Sequence, residues 1–167
     1  LSGAPDVLYP PLVIEHSRRP HNCRELPGAT HRATGANPLC GDHLELSARI
    51  VGGRVLELAF RGEGCAIARA SASMLTDALR DGDTTQGRRL LHAFERLLAG
   101  AGEADRTEAA ALGDLAVFAA VRAHPARKPC ALLAWDAWRS ILHAAEAAPE
   151  TAEAANNDRH LKETTTP

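Results

Sequence analysis

The sequence predicts an α+β fold: a small antiparallel sheet of about three strands, with helices packed mainly on one face. Two observations carry this. From Leu44 to Arg61, apolar and polar residues alternate with period two on either side of Gly52-Gly53. That pattern marks a hairpin with one wet face. After Gly64 the apolar spacing changes to the three and four of a helix. Strands followed by a run of helices indicate α+β rather than an alternating α/β chain.

Each element has a local reason. A first helix is expected to open at Pro10-Pro11, since proline is tolerated in a first turn, and to stop before Pro20. Leu12, Val13 and Ile14 form its apolar side. Residues 20–39 read as loop, with a short strand near 29–33. The hairpin sets Leu44, Leu46, Ala48 and Ile50 against Glu45, Ser47 and Arg49. Its return sets Leu56, Leu58 and Phe60 against Glu57, Ala59 and Arg61. The next helix carries Ile67, Ala70, Met74 and Ala78 on one stripe, and Gly82 closes it. Ala66, Ala68, Ser71, Ala72 and Ser73 keep its first turns slim, so other backbone can approach. A helix over 85–99, a loop over 100–107 and a helix from Gly113-Asp114 to before Pro125 follow. The last helix runs from Cys130 to about Ala147, with Ala134, Trp138, Ile141 and Ala145 inward. Residues 1–148 are expected to form a single domain, and the polar stretch 149–167 a disordered tail.

Bulk properties narrow the function. The chain has 167 residues, 45% of them hydrophobic, which suffices for a core without staples. A net charge of -2 gives no basic footprint for nucleic acid, and no long apolar run suggests a membrane span. With no signal-peptide pattern and only four cysteines, the expectation is reduced thiols and a cytoplasmic location.

Three of those cysteines sit where the backbone changes element: Pro38-Leu39-Cys40-Gly41-Asp42, Gly62-Glu63-Gly64-Cys65 and Lys128-Pro129-Cys130. Three thiols and a carboxylate make a four-ligand set for a tetrahedral metal. Gly41 has the freedom to turn Cys40 and Asp42 toward one point. Cys65 and Cys130 fall at helix starts, where unpaired N–H groups favour thiolate. The competing reading is three buried cysteines packed as small hydrophobes. No C-x-x-C pair is present, so the spacing is not that of a zinc finger.

Asn37-Pro38-Leu39-Cys40-Gly41-Asp42, the run from Gly62 through Cys65 to Met74, and Pro125-Ala126-Arg127 ahead of Cys130-Ala131-Leu132-Leu133-Ala134-Trp135 resemble the U-type iron–sulfur cluster assembly proteins (IscU, SufU and the N-terminal part of NifU). The likeness spans residues 7–143. Within the family the chain looks like the SufU branch. IscU proteins place a ligating histidine before the third cysteine, where this chain has Pro129. SufU relatives usually have a lysine there, and here Lys128 stands one residue earlier. The long span between Cys65 and Cys130 accommodates a helical insertion typical of SufU. The resemblance implies zinc bound by Cys40, Asp42, Cys65 and Cys130. It implies a SufS-type PLP-dependent cysteine desulfurase as partner, whose histidine enters the zinc shell and frees Cys40 to accept sulfur. It implies a positioning role for Arg127, and a downstream iron–sulfur scaffold as recipient. The expected activity is a sulfurtransferase-like relay rather than a stand-alone enzyme. The alternative is a scaffold that assembles a [2Fe-2S] cluster, or holds iron, on the same ligands.

Other residues read more plainly. Cys23 is a spare loop thiol. His16, His21 and His31 are expected to be solvated, and His43 to point away from Asp42 along its strand. Trp135 and Trp138 are expected in the core or facing a partner.

Overall fold

The computed structural model describes residues 8–100 and 110–148. The expected loop 100–107 falls outside them except for Gly100, as does the expected tail 149–167.

Helix α1 spans Pro11–Arg18, with proline in its first turn. Three strands follow, β1 (His31–Asn37), β2 (Asp42–Val51) and β3 (Arg54–Glu63). They pair antiparallel in the order β1-β2-β3. Helix α2 (Ala66–Leu79) and helix α3 (Thr84–Ala99) come next. A 3-10 helix (Gly113–Ala123), a 3-10 turn (Pro125–Arg127) and helix α4 (Lys128–Ala147) complete the described chain. Among these elements no helix is long and apolar enough to cross a membrane.

The sheet has the one wet face its alternation predicts. Outward-facing Glu45 and Arg49 of β2 pair with their register partners Arg61 and Glu57 of β3, at 3.4 and 3.0 Å. On the other face, Leu44, Leu46, Ala48, Leu58 and Phe60 are buried. There α4 crosses β1 and β2, and α2 packs on β3. Gly52 and Gly53, at φ +57° and +75°, form the tight turn between β2 and β3.

Several elements differ from expectation. Strand β1 is seven residues long and sits at 31–37, later and longer than a short strand near 29–33. Its sequence, His-Arg-Ala-Thr-Gly-Ala-Asn, is polar and has no β-branched residue but Thr34, so pairing with β2 holds it rather than propensity. In β3 the pairing slips by one residue, from Arg49 opposite Glu57 to Ile50 opposite Val55. The extra residue at Leu56 reverses the alternation. Val55 is therefore fully buried and Leu56 only half-buried. After α2 the left-handed residue is Asp81 (φ +62°), not Gly82. Gly82 instead accepts the Val55 N–H at 2.9 Å. The segment from Gly113 winds as a 3-10 helix because Leu112, Leu115, Phe118 and Val121, all buried, recur every three residues. His16 is buried rather than solvated.

The core joins α2, α3 and α4. Trp135 and Trp138 lie wholly inside it. Trp135 stacks on Phe94 at 4.4 Å and donates to Ser71 Oγ, whose hydroxyl donates to the Ala131 carbonyl. Trp138 donates to the Gly87 carbonyl at 3.1 Å, across the glycine that lets α3 approach.

Helix α4 also comes close to β1. A Cβ on Gly35 would lie 2.6 Å from the backbone oxygen of Leu133. Gly35→Ala is expected to push α4 off the sheet and cost about 1–3 kcal/mol, measured by urea unfolding. Because α4 carries Cys130, the same variant is expected to make the Cys130 thiol more reactive toward alkylating reagents; unchanged reactivity would show that this contact does not position it.

Candidate metal site

The turn between β1 and β2 is built on Asn37. Its carbonyl accepts the N–H groups of Cys40 (3.3 Å) and Gly41 (2.9 Å), and its Oδ1 accepts that of Leu39 (3.1 Å). Asn37 is buried, so these bonds tie the turn to the sheet. Gly41 takes φ +71° with open space around it, so conformation and not crowding requires the glycine. Cys40 thus stands exposed at a hairpin tip, beside an 89% exposed Leu39. Asp42 opens β2 and faces inward, while His43 faces out as expected.

The second stretch ends β3. Gly62, at φ +133°, has no room for a side chain: a Cβ would lie 2.3 Å from the His43 carbonyl oxygen. Gly64 faces Asp42, and a Cβ there would come within 3.8 Å of Asp42 Oδ2. Cys65 is the N-cap of α2 and is half-buried against the core. Cys130 lies in the first turn of α4, which begins at Lys128, and is buried.

The fold brings three of the four expected ligands together: the donor atoms of Cys40, Asp42 and Cys130 all lie within 4.8 Å of one another. The sulfurs of Cys40 and Cys130 are 3.6 Å apart, and all four cysteines are free thiols. Cys65 is outside that tight group. Its influence still helps to push the Cys130 thiol upward. Asn37 Nδ2 donates to Cys130 Sγ at 3.8 Å.

The electrostatics of Cys130 run against the expectation from its helix position. Burial first, then the hydrogen bond with Cys40 and the influence of Cys65, push its pKa up from 9.0 to about 12. Desolvation and crowded sulfurs outweigh the helix N-terminus. Arg127 faces the same sulfurs. Its guanidinium is held above its ordinary value by Tyr9 first, then by a hydrogen bond with Cys130 and the charge of Cys65 and Cys130.

A soft divalent cation fits this donor set. Asp42 Oδ2 is buried and has no hydrogen-bond partner among the described residues, a costly state for a carboxylate oxygen that a cation would relieve. Three sulfurs and one oxygen suit zinc or iron. Pro129 adds no donor atom, and Cys23 lies apart, exposed and bridged to Phe60. Two contributors have no expected role in the sequence reading, Asn37 and Tyr9. Asn37 carried a usable signal, since asparagine before Pro-x-Cys-Gly is a turn-forming residue. Tyr9 carried none.

A family model described as NifU-like N terminal domain matches residues 8–131. The chain is 33% identical over 135 residues to the iron-sulfur cluster assembly scaffold protein IscU of Streptococcus pyogenes serotype M1, covering 81% of this chain and 82% of that protein. It is also 33% identical over 132 residues to the zinc-dependent sulfurtransferase SufU of Bacillus subtilis (strain 168), covering 79% and 87%. Its fold is shared with a nitrogen-fixing NifU-like protein (N-terminal) from Brucella abortus, with a TM-score of 0.74 at 23% identity over 84% of this chain and 96% of that one. The chain therefore belongs to the NifU-like N terminal domain family of iron–sulfur cluster assembly proteins.

Proposed function

We propose that this protein is a zinc-dependent sulfur acceptor, taking sulfur at Cys40 from the persulfide of a SufS-type PLP-dependent cysteine desulfurase and passing it to an iron–sulfur scaffold in the cytoplasm. The observation that carries this reading is the gradient of exposure in one cluster: Cys40 is exposed, Cys65 half-buried, and Cys130 and Asp42 buried. Only Cys40 of the cluster stands open to a partner's sulfur. Zinc, when bound, would keep Cys40, Cys65 and Cys130 as thiolates and shield them from disulfide formation, with Asp42 as fourth ligand.

The transfer itself is thiol–disulfide chemistry. The Cys40 thiolate attacks the outer sulfur of the partner's Cys–S–SH. A new S–S bond forms at Cys40, the partner's S–S bond breaks, and the partner cysteine leaves as thiolate. The chain's other residues set the geometry. Asn37 holds the tip that carries Cys40 and touches Cys130. Arg127 sets positive charge beside the Cys130 sulfur.

The second reading is a scaffold for a [2Fe-2S] cluster on the same ligands, favoured by the likeness to the Streptococcus IscU protein. Pro129 weighs against it, because it offers no ligand where IscU proteins have a histidine.

Purified protein is expected to hold about one zinc per chain in the cysteine cluster, without visible absorption; brown protein with iron and labile sulfide would select the scaffold instead. It is expected to stimulate desulfurase turnover. Cys40→Ala should drop that stimulation to background with the fold intact by circular dichroism; full transfer by this variant would remove Cys40 from the role.

Asp42→Ala is expected to act with opposite signs. Zinc affinity should fall at least about tenfold, while metal-free stability holds or rises by about 1–3 kcal/mol as the orphaned buried oxygen is removed. Competition with a chromophoric chelator and urea unfolding measure the two effects.

The raised pKa of Cys130 gives a pH dependence. Zinc must displace its proton, so affinity should rise about tenfold per pH unit for each thiol proton released. In the metal-free chain the folded thiol holds its proton above the unfolded value of 9.0, so its contribution to stability is complete below 9.0 and lost as pH rises toward about 12. The zinc-loaded chain should show no such loss.

A further inference from the structure

A second cluster of metal-ligating side chains lies apart from the cysteines. His16, on the last turn of α1, His21, in the turn after it, and Asp77, on α2, place their donor atoms within 4.8 Å of one another. The two imidazoles stand 4.6 Å apart, centre to centre. None of these residues belongs to the Cys40–Asp42–Cys130 group.

Neighbouring side chains hold this cluster in place. His16 Nδ1 is 2.7 Å from Ser73 Oγ, and the same oxygen accepts the backbone N–H of His21 at 2.8 Å. In the tautomer where Nδ1–H donates to Ser73, Nε2 of His16 has a lone pair for a cation. Asn22, itself in a left-handed conformation, donates to Asp77 Oδ1 at 3.3 Å and to Thr76 Oγ1 at 3.0 Å. His21 Nδ1 and Asp77 Oδ2 are 2.5 Å apart, a contact that a bound cation would replace. Next to His16 and Asp77 is a cavity of about 270 Å³, with Asp114 at its edge and Met74, Leu112 and Leu115 in its wall. Two imidazoles and one carboxylate beside an open volume form a three-ligand set that leaves coordination positions for water or a small ligand.

We propose that His16, His21 and Asp77 form a second site, for a divalent first-row transition ion such as zinc or iron(II), with its open positions facing the cavity. The ion would tie α1 to α2. Lacking sulfur, the site is harder than the cysteine cluster and suits ions that the thiolates do not already hold.

Cobalt(II) distinguishes the two sites, because thiolate ligation gives an intense sulfur-to-cobalt charge-transfer band and imidazole–carboxylate ligation does not. Titration of the full chain should show two cobalt ions per chain, one with that band and one without. His21→Ala and Asp77→Asn change exposed residues, and each should weaken the band-free ion at least tenfold while leaving the band unchanged. Cys130→Ser should do the reverse, so loss of the cysteine site is read separately. In the Cys130→Ser chain, added zinc should shift the imidazole resonances of His16 and His21 in nitrogen–proton spectra. A single ion per chain in the unaltered protein, or a band-free ion that survives both His21→Ala and Asp77→Asn, would overturn the proposal.

Discussion

The contact between α4 and β1 is the constraint on which the site depends. A helix packed on a sheet is normally held off by the side chains between them, but Gly35 removes one side chain at the crossing. The Leu133 backbone then rests where a Cβ would be, and the first turn of α4 drops to the level of the β1–β2 turn. That descent brings Cys130 against Asn37 and Cys40, residues far away in sequence. The small residues of α2 serve the same end: Ser71 meets the Ala131 carbonyl directly, and fixes α4 along its other side.

The assembled cluster combines opposed demands. Asp42 and Cys130 are withdrawn from water, so the metal-free site carries an orphaned carboxylate oxygen and a thiol that resists ionisation. A cation would relieve both, meeting the oxygen and displacing the thiol proton. Cys40 has the contrary environment, at an exposed tip. Burial thus selects for an ion, while exposure leaves one sulfur accessible, and the two properties reside on different elements.

Much of this was legible in the chain. Alternation from Leu44 to Phe60, the two glycines of the hairpin and the stripes of α2 and α4 follow from period alone. Strand β1 was not, because its polar residues acquire strand geometry only through pairing with β2. The bulge at Leu56 was hidden as well: the alternation there is regular in sequence, and the slip arises from how β3 meets β2. The three-residue recurrence from Leu112 to Val121 was present, and distinguishes a 3-10 helix from an α-helix once noticed. At the site, the motif residues marked Cys40, Asp42, Cys65 and Cys130 as a set. Their relative depth was not readable, since burial of Cys130 depends on α4, and its raised pKa on that burial and on sulfurs that only the tertiary fold gathers.

The Asn37 turn has a consequence for local opening. Cys40 and Gly41 are held by two backbone hydrogen bonds to a single carbonyl, and Leu39 by one to the Asn37 side chain. Breaking these frees the tip without disturbing the packing of α4, whereas displacing Cys130 would require undocking a helix that carries two buried tryptophans. The cluster is therefore divided between two cooperative units of very different opening free energy. One sulfur can leave its neighbours through a fluctuation of a few residues, and the rest of the cluster remains folded around the gap to receive it back.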